Sequence, residues 1–169
     1  NLEGSKAFMK DLCLKNNIPT AKFKVCTKKS HVVNFLKNVE FPVVVKADGL
    51  AAGKGFTICK TKERVLAVST EIFKGKFKSS KKLILEEFLR GEEASYFLIV
   101  DKKSCKFFGT AQDHKRVGEG DIGPNTGGMG AYSPSRLESN SLDEKIINRI
   151  IKPTFRALKD LNTNFKGFL

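Results

Sequence analysis

An α+β fold is predicted by three observations. Amphipathic stretches of helical period occupy residues 5–16, 62–73 and the region after 141. Short runs rich in β-branched or alternating residues occupy 22–26, 41–46, 56–59, 82–87, 94–100 and 105–112. The 169 residues are 40% hydrophobic and 29% charged, a globular composition long enough to bury a core as one domain or two small lobes.

The first helix recurs on Phe8, Met9, Leu12 and Cys13, with Lys6, Lys10, Asp11 and Lys15 taking the polar positions, and Ile18-Pro19 is expected to stop it. Lys22, Phe23, Lys24 and Val25 alternate as a strand would. Ser30 is expected to cap a short helix carrying Val32, Val33 and Leu36. Phe-Pro-Val-Val-Val-Lys at 41–46 reads as a buried strand. A glycine-rich stretch, 48–55, and the extended run 56–59 complete a strand–turn–strand unit. The second long helix buries Val65, Leu66, Val68, Ile72 and Phe73. Strands follow, with Phe88, Phe97 and Phe107 expected inside apolar patterns. Residues 113–134 show no period. A capping box, Ser141-x-x-Glu144, is expected to open a last helix through Ile146, Ile147, Ile150 and Ile151, kinked at Pro153. Residues 165–169 begin another strand. The helix-rich residues 1–45 are expected beside one sheet made from 42–60, 82–87 and 94–112. The expected lobes are 1–45 plus 105–169, and 46–104.

Charge narrows the partners. Thirty-one Lys and Arg face 18 Asp and Glu, a net +13 with a pI near 9.7. Lys outnumbers Arg 25 to 6, so background composition, attraction of a phosphorylated ligand and nucleic-acid binding all remain open on charge alone. Cys13, Cys26, Cys59 and Cys105 form no CxxC pair, which favours free thiols in a reducing, cytoplasmic setting. His31 and His114 are the only histidines, too few for a His-rich metal site. No apolar run approaches the ~20 residues that span a bilayer, so no membrane partner is expected. Asn1-Leu2-Glu3-Gly4-Ser5-Lys6 is neither an initiator Met nor a signal peptide, and the chain is expected to begin inside a longer protein.

Three segments could carry chemistry. In the first, Lys46 precedes Asp48-Gly-Leu-Ala-Ala-Gly-Lys-Gly55. Glycines let backbone amides approach phosphate oxygens, and Lys54 adds mobile charge. The spacing is not that of a Walker A loop, and an ordinary hairpin is the competing reading. Lys46 favours the functional one, because a lysine ending a Val-Val-Val strand is partly buried and needs an anion. In the second segment, Leu83 to Leu89 is followed by Gly91-Glu92-Glu93. A strand end can offer backbone groups to a purine edge, and a later acid can bond ribose hydroxyls; alone it is equally a solvated strand end. In the third, Gln112-Asp-His-Lys-Arg116 is followed by the glycine-rich stretch 118–130. Twenty unpatterned residues inside a compact domain are usually functional or disordered, and this composition favours function.

In this order the segments resemble the ATP-grasp domain of the phosphoribosylamine–glycine ligase family, the glycinamide ribonucleotide synthetases. The matching strings are Leu2-Glu-Gly-Ser-Lys6, Val44 to Gly55, Glu86-Glu-Phe-Leu89 with Gly91 to Ser95, Gln112 to Arg116, and Gly123-Pro-Asn-Thr-Gly-Gly-Met-Gly-Ala-Tyr-Ser-Pro134. The last is the most specific, and the likeness covers essentially the whole chain. It implies an incomplete ATP-grasp fold and ATP-dependent joining of glycine to 5-phosphoribosylamine in purine biosynthesis. A carboxylate is a poor electrophile, so glycine attacks the γ-phosphate to give glycyl phosphate. The amine then displaces phosphate. Positioning and charge neutralisation dominate such chemistry.

The resemblance also implies residue roles. Lys46, Gly53, Lys54 and Gly55 would meet the ATP phosphates. Glu86, Glu87, Phe88 and Leu89 would hold adenine, Glu93 the ribose, and Asn125 the region near the phosphates. Asp113, His114, Lys115, Arg116, Asn125, Thr126, Gly127, Gly128 and Met129 would face glycine and the phosphoribosyl group, with His114, Lys115 and Arg116 as catalytic candidates. Mg²⁺ or Mn²⁺ is implied, with its ligands expected beyond Leu169. The family has a further domain before this region, so the chain alone is expected to bind nucleotide weakly and not to turn over. Another ATP-grasp carboxylate–amine ligase is the alternative within the fold, and string 123–134 argues against it. A nucleic-acid module would interleave exposed aromatics with lysines. The lysines here are scattered, so no nucleic-acid partner is expected.

Overall fold

The computed structural model describes residues 4–49, 55–77, 82–101, 104–120, 122–163 and 165–169. The chain divides at Arg90/Gly91 into two compact units.

In the first unit, α1 (Lys6–Lys15) starts at Ser5, whose hydroxyl accepts the Phe8 N–H. It stops before Ile18-Pro19, as expected, with Asn16 as its C-cap. Asn17 takes a left-handed φ of 53°, and the Ile18 N–H returns to Cys13 O at 2.9 Å. Strand β1 (Phe23–Cys26) leads to α2 (Lys29–Phe35), whose N-cap is Lys28, so Ser30 lies inside the helix and caps nothing. Strands β2 (Val43–Ala47) and β3 (Phe56–Cys59) flank the glycine-rich loop, of which 50–54 lie outside the described residues. Helix α3 (Lys62–Phe73), capped by the Thr61 hydroxyl, and β4 (Leu83–Glu87) complete the unit.

The sheet order is β1-β4-β2-β3, all antiparallel. Pleating sends Val43, Val45, Ala47, Leu83 and Leu85 to one face, where they pack with Val32, Leu36, Val65, Val68 and Ile72 of α2 and α3. Each fully buried Val or Leu contributes roughly 1.5–3 kcal/mol. The opposite pleat carries Val44, Lys46, Ile84 and Glu86.

The second unit holds β5 (Ser95–Val100), β6 (Cys105–Asp113), β7 (Arg116–Gly118), β8 (Ile122–Asn125), β9 (Ala131–Tyr132) and β10 (Gly167–Phe168). Order β10-β5-β6-β9 forms one sheet and β7-β8 a separate ribbon. The expected single sheet is therefore two. The expected lobes also differ from the observed units. Strand β4 pairs with both β1 and β2, which binds residues on either side of position 45 into one sheet.

Helix α4 (Asn140–Ile146) is capped by Ser139 rather than by a box at Ser141. It runs through a π-helical segment, Ile147–Ile151, into α5 (Lys152–Asp160). The wider turn sits just before Pro153, whose ring would otherwise crowd the carbonyl four residues earlier. This helical run covers Leu98 and Val100 with Ile151, Ile146 and Phe155. Phe97 and Phe107, expected inside, are 38% and 41% exposed. The β5–β6 register shifts at Phe97/Leu98, which re-aims the neighbouring side chains.

Candidate functional site

In the first unit the register dictates the central cluster. Lys46 pairs with Ile84 and Val44 with Glu86, so Lys46 and Glu86 are diagonal neighbours on one face. Lys46 Nζ donates to Glu86 Oε2 at 2.9 Å. A second ammonium, Lys10 Nζ from α1, lies 3.2 Å from the same oxygen. Lys10 also donates to Thr20 Oγ1 at 2.6 Å and stands 5.7 Å from the Phe23 ring centroid. Lys10 and Glu86 are 5% and 4% exposed, while about a third of the Lys46 side chain remains open. Glu86 Oε1 is buried without a hydrogen-bond partner among the described residues. One carboxylate thus meets two ammonium groups and keeps one acceptor unused.

The root of the glycine-rich loop is clasped to the start of α1. Buried Asp48 accepts the Ala7 N–H at 3.1 Å, and Ser5 Oγ lies 3.2 Å from each carboxylate oxygen. Lys6 Nζ donates to Ala47 O at 3.1 Å and Gly49 O at 2.6 Å. Gly49, at φ 85°, makes a turn that other residues rarely adopt. The Ala47 N–H donates to Gly55 O at 2.7 Å and closes the loop's far end. Gly53 and Lys54 lie outside the described residues. The Glu87 carboxylate accepts the Lys22 N–H at 2.8 Å, Phe88 is half-buried, and Leu89 is exposed.

In the second unit, the unpatterned stretch is knitted by backbone bonds. The His114 N–H donates to Gly130 O, Met129 N–H to His114 O, and Thr126 N–H to Lys115 O. Thr126 Oγ1 donates to Lys115 O at 3.0 Å and accepts the Gly128 N–H. Asp113, His114, Lys115, Arg116 and Thr126 to Met129 are thereby brought together. Asn125 joins them through its register with Arg116. Gly123, at φ 88°, could not carry a Cβ without meeting Val117 Cγ1 at 3.0 Å. Lys115 bonds the Glu93 carboxylate and lies 3.6 Å from Asp113 Oδ1. Desolvation pulls the Lys115 ammonium toward deprotonation. The Glu93 bond and charge, with those of Asp113, outweigh it and leave the pKa above its ordinary value. Arg116 Nη1 reaches Gly123 O at 3.4 Å, and the His114 and Tyr132 rings lie 5.7 Å apart.

Behind them, Gln112 Oε1 accepts from Tyr132 and Ser135 hydroxyls at 2.7 and 2.8 Å, which turns its amide nitrogen to Glu93 O at 3.1 Å. Thr110 Oγ1 accepts the buried Ser135 N–H at 2.9 Å and donates to Glu138 at 2.5 Å.

Sequence reasoning missed Lys6, Lys10 and Asp48 as site residues. The recurrence of lysine at positions 6 and 10, one helical turn apart, was the available signal. Charge also divides unequally: the first unit holds 19 Lys and Arg against 8 Asp and Glu, the second 12 against 10. A shallow hollow lined by Thr27, Lys28, Lys29, Thr70, Phe73 and Lys74 shares none of the candidate residues. No three His, Cys, Asp or Glu cluster as a metal would require among the described residues, and no helix among them is long and apolar enough to cross a membrane.

Residues 4–169 match the family described as "Phosphoribosylglycinamide synthetase, ATP-grasp (A) domain". The chain is 46% identical over 169 residues to a phosphoribosylamine–glycine ligase of Mesorhizobium japonicum, covering 99% of this chain and 40% of that protein. It is 48% identical over 170 residues to the chloroplastic enzyme of Arabidopsis thaliana, covering 99% of this chain and 32% of the relative. The Thermotoga maritima phosphoribosylamine–glycine ligase structure superposes with a TM-score of 0.88 at 33% identity, over 99% of this chain and 43% of that one. A Helicobacter pylori D-alanine–D-alanine ligase, at 21% identity and a TM-score of 0.62, covers 94% of this chain and 47% of its own; it shares the fold alone. The chain spans about two-fifths or less of the curated relatives' length. All the segments that carry lysine, glycine and carboxylate chemistry lie within the matched span, and the chain belongs to the phosphoribosylglycinamide synthetase ATP-grasp (A) domain family.

Proposed function

We propose that the protein containing this chain joins glycine to 5-phosphoribosylamine with ATP, releasing ADP and phosphate. One observation carries the nucleotide half of this reading: the Lys46–Glu86 pair at the root of the glycine-rich loop, with Glu86 Oε1 left as a buried acceptor. An unmatched acceptor favours a ligand that brings a donor there, such as the 6-amino group of adenine. The open side of Lys46, Lys54 and the amides at Gly53 and Gly55 would take the triphosphate. The backbone from Glu87 to Leu89 would frame the base, and Glu93 the ribose.

The second unit then serves the acceptor. A glycine carboxylate oxygen attacks the γ-phosphorus and ADP leaves. The amine of phosphoribosylamine attacks the resulting acyl carbon, phosphate departs, and the amine sheds a proton. Arg116 would grip the acceptor's 5-phosphate bidentately, with Lys115 and His114 beside it and Asp113 and the 125–129 loop around glycine. Mg²⁺ or Mn²⁺ is expected with the phosphates. The described residues supply no donor set that fits one. Four free thiols fit a reducing cytoplasm. The test is steady-state ADP release over many turnovers by the full-length protein, which should require both glycine and phosphoribosylamine. Equal release with D-alanine, or without the ribosyl amine, would reassign the substrate.

A further inference from the structure

Lys10 stands where the helix's polar face should be, yet it is almost wholly buried. An unpaired buried ammonium is strongly unfavourable, and this one is held by Glu86 Oε2, Thr20 Oγ1 and the face of Phe23. Its effect on Glu86 is directional. With two ammoniums on Oε2, the carboxylate's rotamer is fixed from opposite elements, α1 and β2, and Oε1 is the carboxylate oxygen left without a partner among the described residues. We infer that Lys10 is a positioning residue for base selectivity: by locking Glu86 it makes the nucleotide site prefer a purine bearing a 6-amino donor over one bearing a 6-oxo acceptor. The inference rests on the nucleotide reading of Glu86 given above. The contacts of Lys10 are to Glu86, Thr20 and Phe23, so its influence on the base would run through Glu86. A site built to bond a substrate N–H rejects the analogue lacking it, because its polar group is then left unpaired; loosening that group relaxes the rejection.

The experiment measures kcat/KM of the full-length protein with ATP and with inosine triphosphate. Glu86→Gln presents an amide that can turn its donor to the 6-oxo group, and the ATP preference should fall by about tenfold or more. Lys10→Met, which keeps the bulk of the side chain, should lower the preference several-fold, and Lys10→Arg should restore part of it. A stability role alone would change the folded yield and leave the ratio untouched. Should Lys10→Met not fold, Thr20→Val, which frees one Lys10 contact, decides: a roughly twofold or greater loss of preference supports the inference, and an unchanged ratio overturns it. If Glu86→Gln relaxes selectivity and the Lys10 and Thr20 variants do not, Lys10 is not the positioning residue. If Glu86→Gln itself leaves the ratio unchanged, the nucleotide reading of Glu86 fails and the inference falls with it.

Discussion

The two units place their charged groups in opposite settings. In the first, Lys10, Glu86 and Asp48 are buried and tied to a sheet whose core is fully packed. In the second, Asp113, Lys115 and Glu93 are at least two-fifths exposed along their side chains; Asp113 pairs with Ala131 at the end of β6, Lys115 O accepts the Thr126 N–H, and Glu93 O accepts from the Gln112 amide. Buried charges keep a fixed geometry because every departure leaves an unpaired ion in low dielectric. Exposed ones are screened and can re-form around a ligand. On the proposed reading, the first arrangement suits the adenine base, which phosphoryl transfer leaves unchanged, and the second suits small acceptors whose bonds change during reaction.

The largest expected effect breaks the first setting at its open end. Lys46→Ala in the full-length protein should lower kcat about 100-fold or more, near 3 kcal/mol of transition-state stabilisation, if it neutralises charge on a transferring phosphoryl group. Lys10 still pairs Glu86 in that variant, so thermal stability should change far less than turnover. Normal specific activity in the folded fraction would make Lys46 a structural lysine.

Next comes the support behind the second setting. Thr110→Val leaves the buried Ser135 N–H and the Glu138 carboxylate without their shared hydroxyl. A loss of about 2 kcal/mol is expected in urea unfolding monitored in that unit. A change below about 0.5 kcal/mol would mean that water replaces the hydroxyl and that the network does not hold the 112–116 segment.

Arg116→Lys addresses the acceptor itself. The Michaelis constant for phosphoribosylamine should rise about tenfold, or ~1.4 kcal/mol, while that for ATP stays within about twofold. Equal rises would place Arg116 in general closure, and no change would remove it from the site.

The sequence made the helices legible because apolar period depends on local spacing alone. Strands β2 to β6 were legible from β-branched runs. Pairing was not: β1 meets β4 across some sixty residues, and nothing local announces that Phe23 will face Glu86. The same distance hid Lys10, since a helical period counts lysine as solvent-facing and its counter-charge lies 76 positions on. Cap positions slipped by two residues at Ser30 and Ser141, where neighbouring polar residues offered equally good signals. The ribbon at 116–125 stayed invisible because glycines and backbone bonds, which leave no side-chain pattern, build it.

The smallest expected effect tests how dry the first unit is against the second. Cys26 is fully buried in the first unit's core, and burial pushes its thiol from 9.0 to about 11, against a small opposing pull from Lys24. Cys105, in the second unit, is exposed. Below pH 9 the Cys26 thiol is protonated in both folded and unfolded chains and contributes no pH dependence. Between pH 9 and 11 the unfolded chain releases the proton and the folded chain retains it, so stability falls as pH rises and levels off above 11. At pH 10 the loss is about 1 kcal/mol. Other groups titrate in that window, so the comparison is with Cys26→Ala, whose stability deficit relative to the parent should shrink by that amount between pH 8 and 10. Thiol reagents at pH 8 should label Cys105 first and Cys26 only on unfolding. Labelling of Cys26 at the rate of Cys105, or a deficit constant with pH, would show that water reaches the sheet–helix core, and the contrast between a rigid first unit and an adaptable second would lose its physical basis.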